Sequence, residues 1–241
     1  MRASFSVIGC FLLLSAFSDG RVGIVKLIQE KHKAELFHAH KAIAFDVHLD
    51  IKGRPHTDLQ FVSLTNSGNI KMMRSDGTTV LFKNGVFSVT GKTQDALARF
   101  DALGWHYFFM VAFKLQDQGV QIEDLEDRNL EKARYRCGKM YFKSGTGETP
   151  KDWYLLFANK QNSRLEAMAF NATNAGSLTQ PAAIRYSDWQ SIGGVPYATT
   201  WNFHQWNDAR GFGKLLGTAR VDHVRWVEET EGIFETPPSN R

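Results

Sequence analysis

Eight histidines are the first residues of this chain whose type could do chemistry. His32, His38, His40 and His48 lie close together in sequence. His38 and His40 share a face if the backbone between them is extended. Asp46, His48 and Asp50 fall on one row of an alternating run. Such a set could ligate zinc, which would need a third ligand and an open position to serve a hydrolase. A solvated polar strand face produces the same pattern, so both readings stand at this point.

Other motifs narrow the chemistry. The stretch Lys143-Ser144-Gly145-Thr146-Gly147-Glu148-Thr149-Pro150 is glycine-rich, but it lacks the Gly-Lys-Ser/Thr ending of a phosphate loop. A strand pattern follows it instead of a helix, so it reads as a turn. No Gly-x-Ser-x-Gly elbow and no His-Glu-x-x-His zinc motif occurs. Asp124 and Glu126 lie in the charged run Glu123–Arg134, which reads as a solvated loop. Asn171-Ala172-Thr173 is a formal glycosylation acceptor, a three-residue pattern that says little by itself. Arg134 and Arg136 share a strand face with Met140 and Phe142. Turned inward, their guanidinium groups would hold the head group of an amphiphile; turned outward, they are simply solvated. No motif points to a reaction, so the chain reads as a non-enzyme with no cofactor.

The elements that must position these residues are mostly strands. Ile43, Phe45, Val47, Leu49 and Ile51 alternate with Ala42, Ala44, Asp46, His48 and Asp50. Turns at Ser67-Gly68-Asn69, Ser75-Asp76-Gly77 and Lys83-Asn84-Gly85 divide the short runs Leu59–Leu64, Ile70–Met73, Val80–Phe82 and Val86–Val89 into an antiparallel meander. Strand patterns resume at Ala133–Phe142, Trp153–Ala158, Leu165–Ala172, Ala182–Gln190, Val195–Trp206 and Leu215–Val227, for roughly ten or eleven strands in all. In Val195–Trp206 both rows carry apolar residues, where a sheet with one wet face would make one row clearly polar. That implies a curved sheet with a second covered surface. Helices are expected in two segments, the second of them one helix or two. Residues 22–33 are amphipathic. Residues 95–113 are apolar nearly all round and need cover on most sides, with an interruption near Gly104.

Composition sets the frame. Hydrophobic residues make up 43% of 241, which excludes a disordered chain. A net charge of +4 arises from scattered Lys and Arg, without the basic stripe of a nucleic-acid binder. Arg2, an apolar run to Leu14 and Ala16-Phe17-Ser18 read as a signal peptide cleaved before Asp19. Val7-Ile8-Gly9-Cys10 resembles a lipid-attachment box, but most of the apolar run follows Cys10, so anchoring there is the lesser reading. Cleavage leaves Cys137 as the only cysteine, a buried thiol without a disulfide partner.

Several segments resemble a known family. Tyr186–Pro196, with Gly193-Gly194-Val195-Pro196 at its turn, is similar to the late hairpin of LolA-like outer-membrane lipoprotein-sorting proteins. Val221–Val227 followed by Ile233-Phe234-Glu235-Thr236-Pro237-Pro238 is similar to the family's ending. Leu103–Leu115, Gly147–Ala158 and Ser187–Trp206 resemble segments of exported bacterial proteins with this fold. The resemblance implies a mainly β fold, an unclosed barrel of curved antiparallel sheet with a helical lid on its concave face. It implies a periplasmic or secreted binder of a lipid or other apolar molecule, with a lipoprotein or membrane receptor as a further partner. On that plan residues 1–18 are the signal peptide and 19–241 one domain. The expected lining is Phe100, Leu103, Tyr107, Met110, Arg136, Phe142, Trp153, Phe170, Trp201 and Phe203. The expected moving part is 96–113, hinged at Gly104.

Overall fold

The computed structural model of the chain describes residues 23–143, 152–171 and 180–235. The expected signal peptide, Cys10, the glycine-rich turn beyond Lys143, Thr173 of the acceptor motif and the proline tail lie outside the described residues.

Twelve strands form one antiparallel sheet in the order β5-β4-β3-β2-β1-β12-β11-β10-β9-β8-β7-β6. Strands β1 (Ala42–Ile51), β2 (Thr57–Leu64), β3 (Asn69–Arg74), β4 (Thr79–Lys83) and β5 (Val86–Thr90) make one meander. The second comprises β6 (Val120–Leu130), β7 (Ala133–Phe142), β8 (Trp153–Asn159), β9 (Leu165–Asn171), β10 (Ala182–Ile192), β11 (Val195–Asn207) and β12 (Gly211–Val227). One seam joins them: β1 pairs with β12, from Ala42 opposite Val227 to Ile51 opposite Gly217. β5 and β6 are the two free edges, and the barrel is unclosed.

This topology dictates where the internal helix goes. The chain leaves β5 at one edge and must re-enter at β6 on the other. The connecting segment therefore crosses the breadth of the sheet, and its apolar surface sends it across the concave side. It runs as α3 (Asp95–Phe100), a wider π-type turn (Asp101–Trp105), α4 (His106–Met110) and a tight last turn (Val111–Phe113). Two short helices lie ahead of β1, α1 (Ile24–His32) and α2 (Ala34–Ala39), joined at Lys33 in the left-handed conformation (φ 57°). Ile24, Ile28, His32, Ala34 and Phe37 are their buried residues. The sequence pattern gave the first of these helices but not the second.

The structure corrects one expectation and refines two others. The charged run is not a loop: Val120–Leu130 is strand β6, with Glu123, Asp124 and Glu126 exposed. An edge strand tolerates charges because nothing pairs beyond it, and they discourage pairing with another chain. The mixed rows of β11 have a second source besides the outer-face cluster that Trp206 joins. Asp188 in β10 adopts φ 53° and leaves the ladder between Ser187–Thr200 and Trp189–Ala198. The kink turns the strands, so that Tyr186, Trp189, Ala198 and Trp201 all reach the same core. Of the one or two helices expected over 95–113 the structure has one continuous run, and the interruption near Gly104 is its π-type turn.

The sheet has two apolar faces of unequal size. The concave core joins Phe45, Phe61, Met72, Met140, Leu156, Phe170, Ile184, Trp201 and Phe203 to the helices. A smaller cluster on the other face holds Leu130, Tyr135, Cys137, Leu155, Phe157 and Trp206. Cys137 is buried there, and desolvation pushes its thiol up to about 11, as expected of an inert cysteine.

Candidate functional site

The concave face is filled by the chain's own helix. Phe109 stacks on Phe45 at 4.1 Å, and Phe45 on Phe61 at 4.9 Å. Phe108 lies 5.0 Å from Phe170 and 5.8 Å from Phe203, ring centre to ring centre. Trp105 meets Phe203 edge-on at 5.3 Å, and Tyr107 lies 5.4 Å from Tyr154. At the end of the segment Phe113 stacks on Phe37 of α2 at 3.8 Å. A space of about 30 Å³ is left between helix and sheet, lined by His32, Phe109, Phe113, Trp189, Tyr197 and Trp201 among others. That is about the share of one water in the liquid. The concave surface is apolar, and the chain's own helix occupies it.

A few polar groups pin the helix in place. Asp101 is only 2% exposed. It forms an ion pair with Arg74 of β3 and accepts a hydrogen bond from Trp105 Nε1 at 3.0 Å. Burial still pushes its carboxyl above the usual range, with Trp105 and Arg74 pulling the other way. His106 is buried beside Ser63 of β2, Nε2 to Oγ 2.8 Å. Burial, helped by Lys114, lowers its pKa to about 3, so the ring is neutral. Tyr186 donates to the Phe108 carbonyl at 3.0 Å, and His38 Nε2 donates to the Phe113 carbonyl at 3.1 Å. His32 is also neutral, its pKa lowered to about 3 by burial and then by Arg164 and Lys31. Its Nε2 accepts the Leu165 N–H at 3.1 Å and so starts β9.

The structure brings most of the expected lining together. Met110, Phe170, Trp201 and Phe203 are buried in the concave core, and Phe100, Leu103, Tyr107 and Phe142 pack half-buried against it. Tyr107 reaches Met140 Sδ through its hydroxyl at 3.6 Å. Arg136 stands on the concave row, in register opposite Ala158. Trp153 does not join them. It alternates off that row and packs with the smaller cluster on the opposite face. Sequence reasoning missed Asp101 and His106 as anchors. Their signal was present, as polar residues inside an otherwise apolar helix.

The candidate zinc ligands are not brought together. His38 serves the Phe113 carbonyl. His40 stacks on Trp226 at 3.9 Å and bonds Glu228 Oε1 at 2.7 Å. His48 lies away from both on the outer face of β1, between Asp58 (2.7 Å) and Asp222 (3.1 Å). Its pKa is raised, first by the hydrogen bond to Asp58.

Comparison with solved structures agrees with this architecture. The chain is similar to a LolA superfamily protein from Nitrosomonas europaea, at TM-score 0.59 and 12% identity over 90% of this chain and 99% of the other. It is also similar to a DUF1329 family protein from Desulfovibrio piger, at TM-score 0.51 and 9% identity over 89% and 98% of the two chains. At these identities the likeness shows the fold, a LolA-like unclosed barrel. No family model and no curated protein matches the sequence.

Proposed function

We propose that this chain is an exported bacterial binding protein that holds a lipid, an acyl chain or another apolar molecule on its concave face, without catalysis. The observation that carries this reading is that the helix filling the barrel belongs to no ladder. Every sheet hydrogen bond is made between strands, so the helix can leave without breaking one. What it gives up is apolar contact and a few polar anchors, and an acyl chain replaces apolar contact at about 25 cal/mol per Å². Phe100, Leu103, Tyr107 and Met110 on the helix, with Phe142, Phe170, Trp201 and Phe203 on the sheet, would line the opened site. Arg136 would stand near an acidic head group. Residues 1–18 would be removed on export and 19–241 would act as one domain in the periplasm or outside the cell. A lipoprotein or membrane receptor would pass on or accept the ligand. Nucleic acid is not a partner in this reading. No helix among the described residues is long and apolar enough to cross a membrane.

A second reading has one observation in its favour. The residual space of about 30 Å³ suits a structural envelope protein whose barrel is a filled core. Titration with fluorescent fatty acids of increasing length separates the two. The carrier gains about 0.8 kcal/mol per buried methylene, roughly fourfold in affinity. Absence of saturable binding at every length would leave the filled core standing.

A further inference from the structure

We propose that His48, His56 and Asp58 form a binding site for zinc, or a divalent cation of similar preference, on the outer face of the sheet. This site is separate from the concave face, and its failure would leave the carrier reading untouched.

The placement follows from strand alternation. Val47 and Leu49 of β1 point into the concave core, so Asp46, His48 and Asp50 point outward. Asp58 of β2 lies in register opposite His48, and His56 immediately precedes β2. Three ligand atoms then converge. His48 Nδ1 lies 2.7 Å and His56 Nε2 2.9 Å from the same oxygen, Oδ1 of Asp58.

The backs of both rings point to a cation. His48 Nε2 faces Asp222 Oδ1 of β12 at 3.1 Å, and His56 Nδ1 faces Asp50 Oδ1 at 2.8 Å. A neutral imidazole carries one N–H, and an ionised carboxylate donates nothing. With each N–H directed to its outer carboxylate, both inner nitrogens present lone pairs to the Asp58 oxygen. Two nitrogen lone pairs held against one carboxylate oxygen repel it unless positive charge sits among them. Two protons, making both rings imidazolium, are one solution. A single divalent ion is the other, and it would release those protons. A carboxylate behind each ligating imidazole is the usual support of a metal-bound histidine, fixing tautomer and ring angle.

The donor set selects the metal. Two imidazole nitrogens and one carboxylate suit zinc, with a fourth position for water, and do not suit calcium or magnesium, which take oxygen. Tetrahedral bonds of about 2.0–2.1 Å need ligand atoms about 3.3 Å apart, so each nitrogen must draw back from the Asp58 oxygen by roughly half an ångström. The side chains of His48 and His56 are 32% and 54% exposed, which leaves the rings free to do so. The opposing influence is Arg220, which pairs in register with His48 from β12.

Isothermal titration of the tag-free, full-length protein with zinc chloride at pH 7.5, in buffers of different ionisation enthalpy, tests the site. The expected result is one saturable site that releases protons, with calcium and magnesium giving none. Asp58→Asn and His56→Gln should each weaken zinc at least tenfold, and Asp222→Asn, behind His48, about tenfold. His38→Gln should change nothing. Should a variant fail to fold by circular dichroism, cobalt added to the native chain reads the same point through strong tetrahedral d–d bands. Absence of saturable zinc binding, full affinity in a folded Asp58→Asn/His56→Gln double variant, or weak octahedral cobalt bands would overturn the proposal.

Discussion

Acid should destabilise this protein through two particular rings. His32 and His106 are neutral in the fold, with pKa values lowered to about 3 chiefly by burial. In the unfolded chain each returns to about 6.5. Between those values the unfolded state binds more protons, so stability is whole above about pH 6.5 and falls as pH drops toward 3. At pH 4.5, two units below the unfolded value, each ring costs about 2.7 kcal/mol and the pair on the order of 5. A domain holds roughly 5–15 kcal/mol in total, so the loss is large. Urea unfolding at pH 7.5 and 4.5 measures it, on the native chain and on a His32→Gln/His106→Gln double variant. Carboxylates also titrate in this window, and Asp101, whose folded pKa is raised, acts with the opposite sign. These contributions are common to both proteins and cancel in the difference. The native chain should lose about 5 kcal/mol more than the variant between the two pH values. Equal losses would refute the assignment of buried neutral rings.

Two further outcomes are expected. Gly104 has no positive φ, so Gly104→Ala gains helix propensity of about 1 kcal/mol while its new Cβ sits 3.0 Å from Phe100 Cε2, displacing that half-buried ring by a few tenths of an ångström. The melting temperature should hold or rise and stopped-flow uptake of a fluorescent fatty acid should slow; unchanged uptake removes Gly104 from any gating role. Arg74→Met leaves the Asp101 carboxylate buried without its ion-pair partner and should cost about 3–5 kcal/mol in urea unfolding, most of it recovered by adding Asp101→Asn.

Much of the architecture was legible where one physical signal dominated. The alternation of Ile43 to Ile51 gave β1 and its faces, and the unbroken apolar run 95–113 gave a helix needing cover. The signal failed where another force set the structure. The charges of β6 concealed a strand because an edge has no neighbour to satisfy on one side. Trp153 was placed inward because an aromatic residue fits either face of a sheet that carries apolar clusters on both. The unpaired Asp188 was invisible because a left-handed residue within a strand changes facing without changing composition. His56 and Asp58 were not joined to His48 because their meeting depends on the register between β1 and β2, which the hydrophobic pattern does not state.

The seam between β1 and β12 bears on how the molecule comes to be made. Each meander pairs neighbours close in sequence and can assemble on its own. The seam must bring Ala42 to Val227. Closing so long a loop costs about 4–5 kcal/mol in chain entropy before any contact rewards it. Assembly dominated by such distant pairing is slow, on the millisecond-to-second scale. Through that interval the aromatic helix between β5 and β6 has half a cradle at best, and its rings are open to other chains. The segment that occupies the finished barrel is thus the one most exposed to aggregation during synthesis, and it is where a chaperone would gain most by binding.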